Sequence, residues 1–184
     1  PPEAVGTSRA NLDEAACVAH LVGRLLNRGL GWRDVGVITP YLGQVKAIQK
    51  ELRARQGEGA SAAAAVSSVD AYQGQERSVV LLSMVRANAA GNVGFLEDWR
   101  RTNVALTRAR SQCVVVGNVP TLLSAESTPL WRHWAKLYLS PGHTHGERAD
   151  VLRWTGHTLA SLDPESKAVA VLEEHVPGFS ARHF

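Results

Sequence analysis

The chain is poor in cysteine, methionine and aromatic residues. Its 184 residues include two cysteines, one methionine and only 6% aromatic side chains. Cys17 and Cys113 lie far apart in apolar stretches and form no CxxC pair, so a zinc site has little support. We expect both to be small buried hydrophobic residues of an intracellular, reducing compartment, either the cytoplasm or the nucleus.

Long hydrophobic runs are also missing. No apolar run approaches the roughly 18 residues of a membrane-spanning helix, so we expect no membrane partner. No basic segment followed by an apolar stretch marks a secretion signal. The phosphate-binding pattern GxxxxGK[ST] is absent, and no DExx-type strand precedes the motifs described below. The chain begins with Pro1 rather than Met, and we therefore expect a piece of a longer protein.

The composition suits one globular domain, with or without an appendage. Apolar residues make up 45% of the chain, which is long enough to bury a core. The formal net charge is +3 and the pI is about 9.2, a balance that mildly favours a polyanionic partner. Four arginines form a cluster: Arg100, Arg101, Arg108 and Arg110. This cluster is typical either of a solvated helix face or of an anion-binding surface.

Hydrophobic periodicity predicts strands that alternate with helices. Helices are expected over 11–29, 43–56 and 99–110, and strands over 34–40, 64–70, 77–85 and 112–118. Asn11 is placed to cap the first helix, with Glu14 as its capping-box partner and Gly29 at its end. Residues 57–65 and 86–98 are predicted as loops.

The last third of the chain has a different character. Pro120 and Pro129 are expected to open two short helices, the second with Trp131 and Trp134 as core anchors. Residues 140–184 are predicted as a linker and a helical extension, with helices over 147–162 and 164–176. His143 and His145 could ligate a metal, but no third ligand is evident, so a loop is favoured.

Alternating strands and helices predict an α/β fold with a mostly parallel sheet and helices on both faces. In such sheets ligands bind at the carboxyl ends of the strands. We therefore expect the functional surface at the polar ends of the strands, namely 39–41, 68–70, 86–88 and 117–118, and on the loops that follow them.

Two polar segments carry groups suited to nucleotide chemistry. Arg108 and Arg110 are two positions apart, so both cannot point to the same place. A guanidinium offers a planar fork of donors that matches phosphate oxygens. In the segment "VDAYQGQE", Gly74 allows a tight turn and Glu76 can accept hydrogen bonds from sugar hydroxyls or from an arginine. Together these groups could sense a nucleotide on one side and a nucleic-acid backbone on the other.

Four segments in order make the resemblance specific: "VGVITPYLGQ", "SSVDAYQGQE", "SMVRAN…VGFLEDWRRTNVALTRAR" and "VVVGN". Together they resemble the second RecA-like domain of superfamily 1 helicases, in the group of the nonsense-mediated-decay helicase and senataxin. The resemblance covers about residues 6–139 and implies a RecA-like, P-loop-NTPase-type fold there. It implies ATP-dependent 5′-to-3′ movement on single-stranded RNA or DNA, with RNA favoured only by the nearest relatives.

The resemblance also implies roles for individual residues. Residues expected near the nucleotide are Tyr41, Gln44, Gly74, Glu76, Arg108 and Arg110. Residues expected on the nucleic-acid side are Thr39, Pro40, Ser68, Asp70 and Asn103. Arg108 holds the arginine-finger position and is the expected catalytic residue, with Arg110 as a supporting cation. Asn103 and Arg101 are expected to organise the motif helix, and for Thr39 and Pro40 a plain strand terminus is an equally good interpretation.

One position departs from the family pattern. The decay helicase has an arginine directly after the Gly-Gln of its first segment, whereas this chain has Val45 followed by Lys46. A second cation on the γ-phosphate is therefore in doubt. The resemblance places the phosphate loop and the groups that bind Mg²⁺ on a first RecA-like domain upstream in the same polypeptide. ATP and Mg²⁺ would be bound mainly there, and this chain alone should not hydrolyse ATP.

Two other interpretations stay open. The domain could be a catalytically inactive helicase-derived scaffold or nucleic-acid-binding module in a larger assembly, with protein partners reached through the tail. The other interpretation is an unrelated α/β nucleotide-binding enzyme. The intact segments "SSVDAYQGQE" and "NVALTRAR" argue against the scaffold, because a purely structural domain would have no chemical need for their polar residues.

Overall fold

The computed structural model describes residues 3–5, 8–88, 90–124, 129, 131 and 170–175. Strands β1 (Glu3–Val5) and β2 (Ser8–Ala10) form a short antiparallel pair that the sequence did not predict. The other strands are β3 (Val35–Thr39), β4 (Ala65–Ser68), β5 (Arg77–Ser83), β6 (Ala109–Gly117) and β7 (Ala170–His175). The helices are α1 (Leu12–Asn27), α2 (Leu42–Gln56), α3 (Ala60–Ala63), α4 (Trp99–Leu106) and α5 (Val119–Leu123), and Gly94–Glu97 form a 3₁₀ turn.

Five strands form the main sheet in the order β4-β3-β5-β6-β7. The first four are parallel to one another, and β7 pairs antiparallel with β6. Parallel neighbours need crossover connections, which α2 supplies between β3 and β4 and α4 supplies between β5 and β6. The expected α/β, RecA-like architecture is confirmed.

The sheet separates two apolar layers. On the first face, α1 and α2 pack against inward residues such as Val37, Leu81 and Val114. On the second face, Tyr72, Ala105 of α4 and Leu122 of α5 pack against the alternate strand residues Ile38, Val80, Leu82, Cys113 and Val115. The central strands are apolar almost throughout because both of their faces are covered.

The start of α1 agrees with the sequence, but its expected capping box is only half formed. The Asn11 side chain accepts a hydrogen bond from the backbone N–H of Glu14 at 3.1 Å, which caps the helix. The Asn11 backbone N–H, however, donates to Gln44 Oε1 at 2.7 Å rather than to Glu14. The Glu14 carboxylate therefore does not accept the Asn11 backbone N–H and is free to accept hydrogen bonds from other donors.

Three expectations about the elements are wrong. The predicted loop over 57–65 contains α3, which its run of alanines favours. The predicted helix over 99–110 ends at Leu106, and Arg110 lies in β6. The predicted helix over 164–176 contains β7 instead, so a part of the expected tail joins the main sheet.

Other expectations lie partly or wholly outside the described residues. Trp131 is fully buried, as expected of a core anchor, whereas Trp134 is not described. The loop around His143 and His145 and the helix over 147–162 also lie outside the described residues. Within the part of the chain that is described, no helix is both long and apolar enough to cross a membrane.

Candidate functional site

The segment between β4 and β5 crosses the second face of the sheet. It carries Tyr72, which is fully buried and packs over Gly36 of β3. A β-carbon at Gly36 would overlap the Tyr72 hydroxyl and would lie 2.9 Å from its Cζ. The absence of a side chain at Gly36 therefore lets Tyr72 pack directly against the sheet. Burial raises the pKa of Tyr72, and nearby Arg77 partly opposes the shift.

After Tyr72 the segment turns back towards β5. Gly74 has a φ of +81°, in the left-handed region that favours glycine, and is exposed. Two residues later, Glu76 Oε2 accepts a hydrogen bond from Arg110 Nε at 3.2 Å. This ion pair is exposed, so it orients side chains more than it stabilises the fold. It links the "VDAYQGQE" segment to the first residues of β6.

Arg108 lies between the end of α4 and the start of β6. Its Nε donates to the Val104 carbonyl at 3.0 Å, and one terminal nitrogen donates to Thr107 Oγ1 at 3.1 Å. None of the acidic side chains in the described ranges forms an ion pair with Arg108. The half-buried guanidinium is thus held against its own helix while it keeps donors for an anion. Arg108 and Arg110 have different partners, as their spacing predicts.

A second chain of contacts joins three of the polar segments near the carboxyl ends of β3 and β4. The Phe95 N–H donates to the Tyr41 hydroxyl at 3.4 Å, and the two rings meet edge to face with centroids 6.4 Å apart. The Arg101 guanidinium lies 4.0 Å from the centroid of the Phe95 ring. Arg101 Nε also lies 4.0 Å from Asp70 Oδ1. Phe95 therefore connects the segment at Tyr41 to α4, and Arg101 connects α4 to Asp70.

The remaining residues expected on the nucleic-acid side have different environments. Thr39 and Pro40 are buried, and the Thr39 hydroxyl has no hydrogen-bond partner among the residues described. Ser68 ends β4, and its hydroxyl accepts the Ala71 N–H at 3.3 Å. The exposed Asn103 lies on α4, and its carbonyl accepts the Thr107 N–H at 3.0 Å.

Gln44 is fully buried and lies in a polar network rather than on the surface. Its Nε2 donates to Ser83 Oγ at 3.0 Å and to the Asn11 carbonyl at 3.1 Å. The Ser83 hydroxyl donates to Glu14 Oε2 at 2.8 Å. Burial raises the pKa of Glu14 to about 7, although hydrogen bonds from Val85 and Ser83 oppose the shift. Contact of Gln44 with a nucleotide stays a prediction, and in this arrangement its side chain supports the start of α2.

The expected location at the carboxyl ends of the strands holds for only part of the set. Residues 39–41, Ser68 and Asp70 do follow the carboxyl ends of β3 and β4. Glu76 lies at the end of the loop that follows β4, as expected, and directly precedes β5. Arg108 and Arg110 lie instead at the amino end of β6, because α4 crosses the second face before that strand begins.

Sequence reasoning missed two residues that the contacts single out. Phe95 was placed in the predicted loop over 86–98. The one local sign of a contact was its aromatic ring three positions before Asp98, the N-cap of α4. Glu14 was assigned only to helix capping, and nothing local predicts its partners in β5. Among the described residues, no group of three or more His, Cys, Asp or Glu side chains could hold a metal ion.

Comparison with known proteins gives a consistent family. The model of a family described as "AAA domain" matches residues 2–120. The "Regulator of nonsense transcripts 1 homolog" of Drosophila melanogaster is 40% identical over 136 residues, which are 72% of this chain and 11% of that protein. The "Helicase sen1" of Schizosaccharomyces pombe is 36% identical over 130 residues, 67% of this chain and 7% of its own length.

The name of a third relative refers to DNA replication. The "DNA replication ATP-dependent helicase/nuclease DNA2" of Xenopus laevis is 42% identical over 114 residues, 61% of this chain and 10% of that protein. The chain therefore spans only about a tenth of the length of the curated relatives it matches.

Proposed function

Because this chain belongs to the AAA domain family, as a superfamily 1 helicase domain of the nonsense-mediated-decay and senataxin group, we propose that it is the second motor domain of an ATP-dependent helicase. In this proposal it works with a first RecA-like domain of the same polypeptide and moves 5′ to 3′ along single-stranded RNA or DNA. Residues 1–139 carry the motor motifs, and 140–184 form an extension whose strand β7 pairs with β6 in the main sheet.

The observation that carries the proposal is the arrangement around Arg108. Its guanidinium is fixed by two hydrogen bonds to its own helix end, yet no carboxylate in the described part of the chain neutralises it. A fixed cation with spare donors suits the charge that develops on a transferred phosphoryl group. Arg108 would supply the arginine finger when the two motor domains close on ATP.

Nearby residues support this role in different ways. Arg110 and Glu76 pair at 3.2 Å, and this pair ties the segment that turns at Gly74 to the start of β6. Tyr41 presents a half-buried ring beside Phe95, and we assign it to nucleotide binding. Mg²⁺ would be held mainly by the first RecA-like domain, where it would neutralise charge on the phosphates.

The nucleic-acid strand is assigned to the carboxyl-edge residues Thr39, Pro40, Ser68 and Asp70, together with Asn103 on α4. Asp70 is exposed, and its carboxylate lies 4.0 Å from Arg101 Nε of α4. The buried Thr39 and Pro40 would contribute backbone groups or a shaped edge rather than exposed side chains.

The test is ATP turnover by the complete polypeptide, with and without single-stranded RNA and single-stranded DNA. We expect turnover that rises on addition of at least one of the two strands, and the better strand names the substrate class. A folded polypeptide that binds nucleic acid but shows no turnover would support the alternative, a helicase-derived scaffold in which Val45 replaces a phosphate-binding cation.

A further inference from the structure

Glu14 stands apart from the other acidic residues of this domain. Among the side chains whose burial is described, it is the only acidic one that is fully buried. Buried carboxylates are costly unless hydrogen-bond donors surround them. Its position in the first turn of α1 does not account for its burial, because Asn11 already caps that helix.

The partners of Glu14 belong to distant parts of the chain. Glu14 Oε2 accepts the Ser83 hydroxyl and the Val85 backbone N–H, each at 2.8 Å. Glu14 Oε1 accepts Asn11 Nδ2 at 3.2 Å, and the same amide nitrogen lies 3.3 Å from the Val85 carbonyl oxygen. Both backbone polar groups of Val85 are thus bound by side chains from the start of α1.

Val85 has an unusual backbone conformation. Its φ is +71°, the only positive φ at a non-glycine residue in the described part of the chain. The Arg86 N–H donates to the Met84 carbonyl at 2.8 Å, which closes a three-residue γ-turn around Val85. A positive φ is rare for a β-branched residue, and such a turn persists only where its surroundings hold it.

The turn sets the direction of the segment that leads to α4. Residues 86–98 start directly after it, and Arg86 then donates to the Asn92 carbonyl at 3.1 Å and to its side chain at 2.8 Å. Farther along, Phe95 reaches Tyr41 and Arg101, the contacts that join the segment to the candidate site.

We propose that Glu14 is a positioning residue that clamps the γ-turn at Val85 and so sets the path of residues 86–98. The contacts of Phe95 with Tyr41 and with Arg101 depend on that path. This effect on turnover rests on the proposed function, whereas the effect on the 86–98 segment does not.

The first test is hydrogen–deuterium exchange of the complete polypeptide carrying Glu14→Ala. We expect amides in peptides that cover residues 86–98 to exchange about ten-fold faster or more, because the turn opens locally. The matched control is Val22→Ala, which removes a fully buried apolar side chain from the same helix without touching the network. It should lower thermal stability but leave exchange in 86–98 close to that of the unaltered protein.

Turnover gives the second readout. Glu14→Ala should lower kcat by about ten-fold to a hundred-fold, the loss expected when a site group shifts by about 1 Å. Val22→Ala should leave kcat nearly unchanged. Glu14→Gln should restore part of the protection and turnover, because its amide oxygen can still accept from both Ser83 and Val85, whereas its amide nitrogen cannot accept from Asn11 Nδ2.

A double-mutant cycle keeps the inference testable if Glu14→Ala folds poorly. Glycine adopts positive φ readily, so in a Val85→Gly background the turn needs its clamp less. Glu14→Ala should then change exchange and kcat far less than it does alone. Equal effects in both backgrounds, or exchange in 86–98 no faster than in Val22→Ala, would overturn the role of Glu14. Absence of turnover in the unaltered polypeptide would instead overturn the proposed function.

Discussion

Tyr72 lies directly over Gly36, with no room for a β-carbon between the ring and strand β3. The tyrosine belongs to the segment that ends at Glu76, and the glycine belongs to the strand that ends at Thr39. One close contact between a ring and a backbone therefore fixes how the segment that carries Tyr72 packs against β3 on the second face of the sheet.

Substitution of Gly36 by Ala should destabilise the domain. The added methyl group forces Tyr72 away from β3, and overpacking of a filled core costs about 1–3 kcal/mol. The free energy of unfolding, measured by urea denaturation, checks this. Gly59→Ala is the control, because nothing lies within 4 Å of the added atom there.

Tyr72→Phe should relieve part of that cost. The Tyr72 hydroxyl has no hydrogen-bond partner among the described residues, so its removal alone should change stability little. In the Gly36→Ala background the same change removes the atom that overlaps the new methyl group. If Gly36→Ala is as stable as Gly59→Ala, the close packing of Tyr72 on β3 is wrong.

Stability should depend on pH through Glu14. Its pKa is raised from 4.5 to about 7, so the folded state binds a proton more readily than the unfolded state does. The contribution of this group to stability is therefore fully present below about pH 4.5 and is lost as the pH rises through about 7. The full loss corresponds to about 3 kcal/mol in the free energy of unfolding.

Denaturation of the unaltered chain and of Glu14→Gln at a series of pH values measures this effect. The difference in unfolding free energy should shift in favour of the glutamine variant as the pH rises from about 5 to 8, because glutamine does not ionise. The ionisable groups that act on Glu14 or are acted on by it are Asp13 and Cys17, both on α1. Burial, with a smaller contribution from Glu14, raises the pKa of Cys17 to about 12, so it stays a thiol over this range. A difference that stays constant with pH would contradict the buried, titrating carboxylate.

The parts of the fold that the sequence predicted are those with local causes. The cap at Asn11 and the apolar strands at Val35–Thr39 and Arg77–Ser83 follow from residue type and periodicity alone. The family of the domain was predicted from four sequence segments in order, and the comparisons confirm it.

The parts that the sequence did not predict depend on contacts between distant residues. Ala170–His175 is rich in good helix formers, yet it pairs with β6 because tertiary pairing overrides weak local propensity. Strand β6 begins earlier than its apolar run because the Arg77 N–H donates to the Arg108 carbonyl at 3.1 Å, which extends the ladder. The contacts of Glu14 could not be predicted because its partners Ser83 and Val85 lie about 70 residues away, and only folding brings them together.

The arginine-finger role of Arg108 is tested most directly by single-turnover ATP hydrolysis by the complete polypeptide bound to single-stranded nucleic acid. Arg108→Ala should slow hydrolysis by about 10³-fold or more, the range typical of a lost arginine finger, while folding and strand binding are retained. Arg55→Ala removes an arginine on α2, whose pairing with Glu51 is exposed, and should have little effect. Hydrolysis by Arg108→Ala at the rate of the Arg55→Ala control would contradict the account.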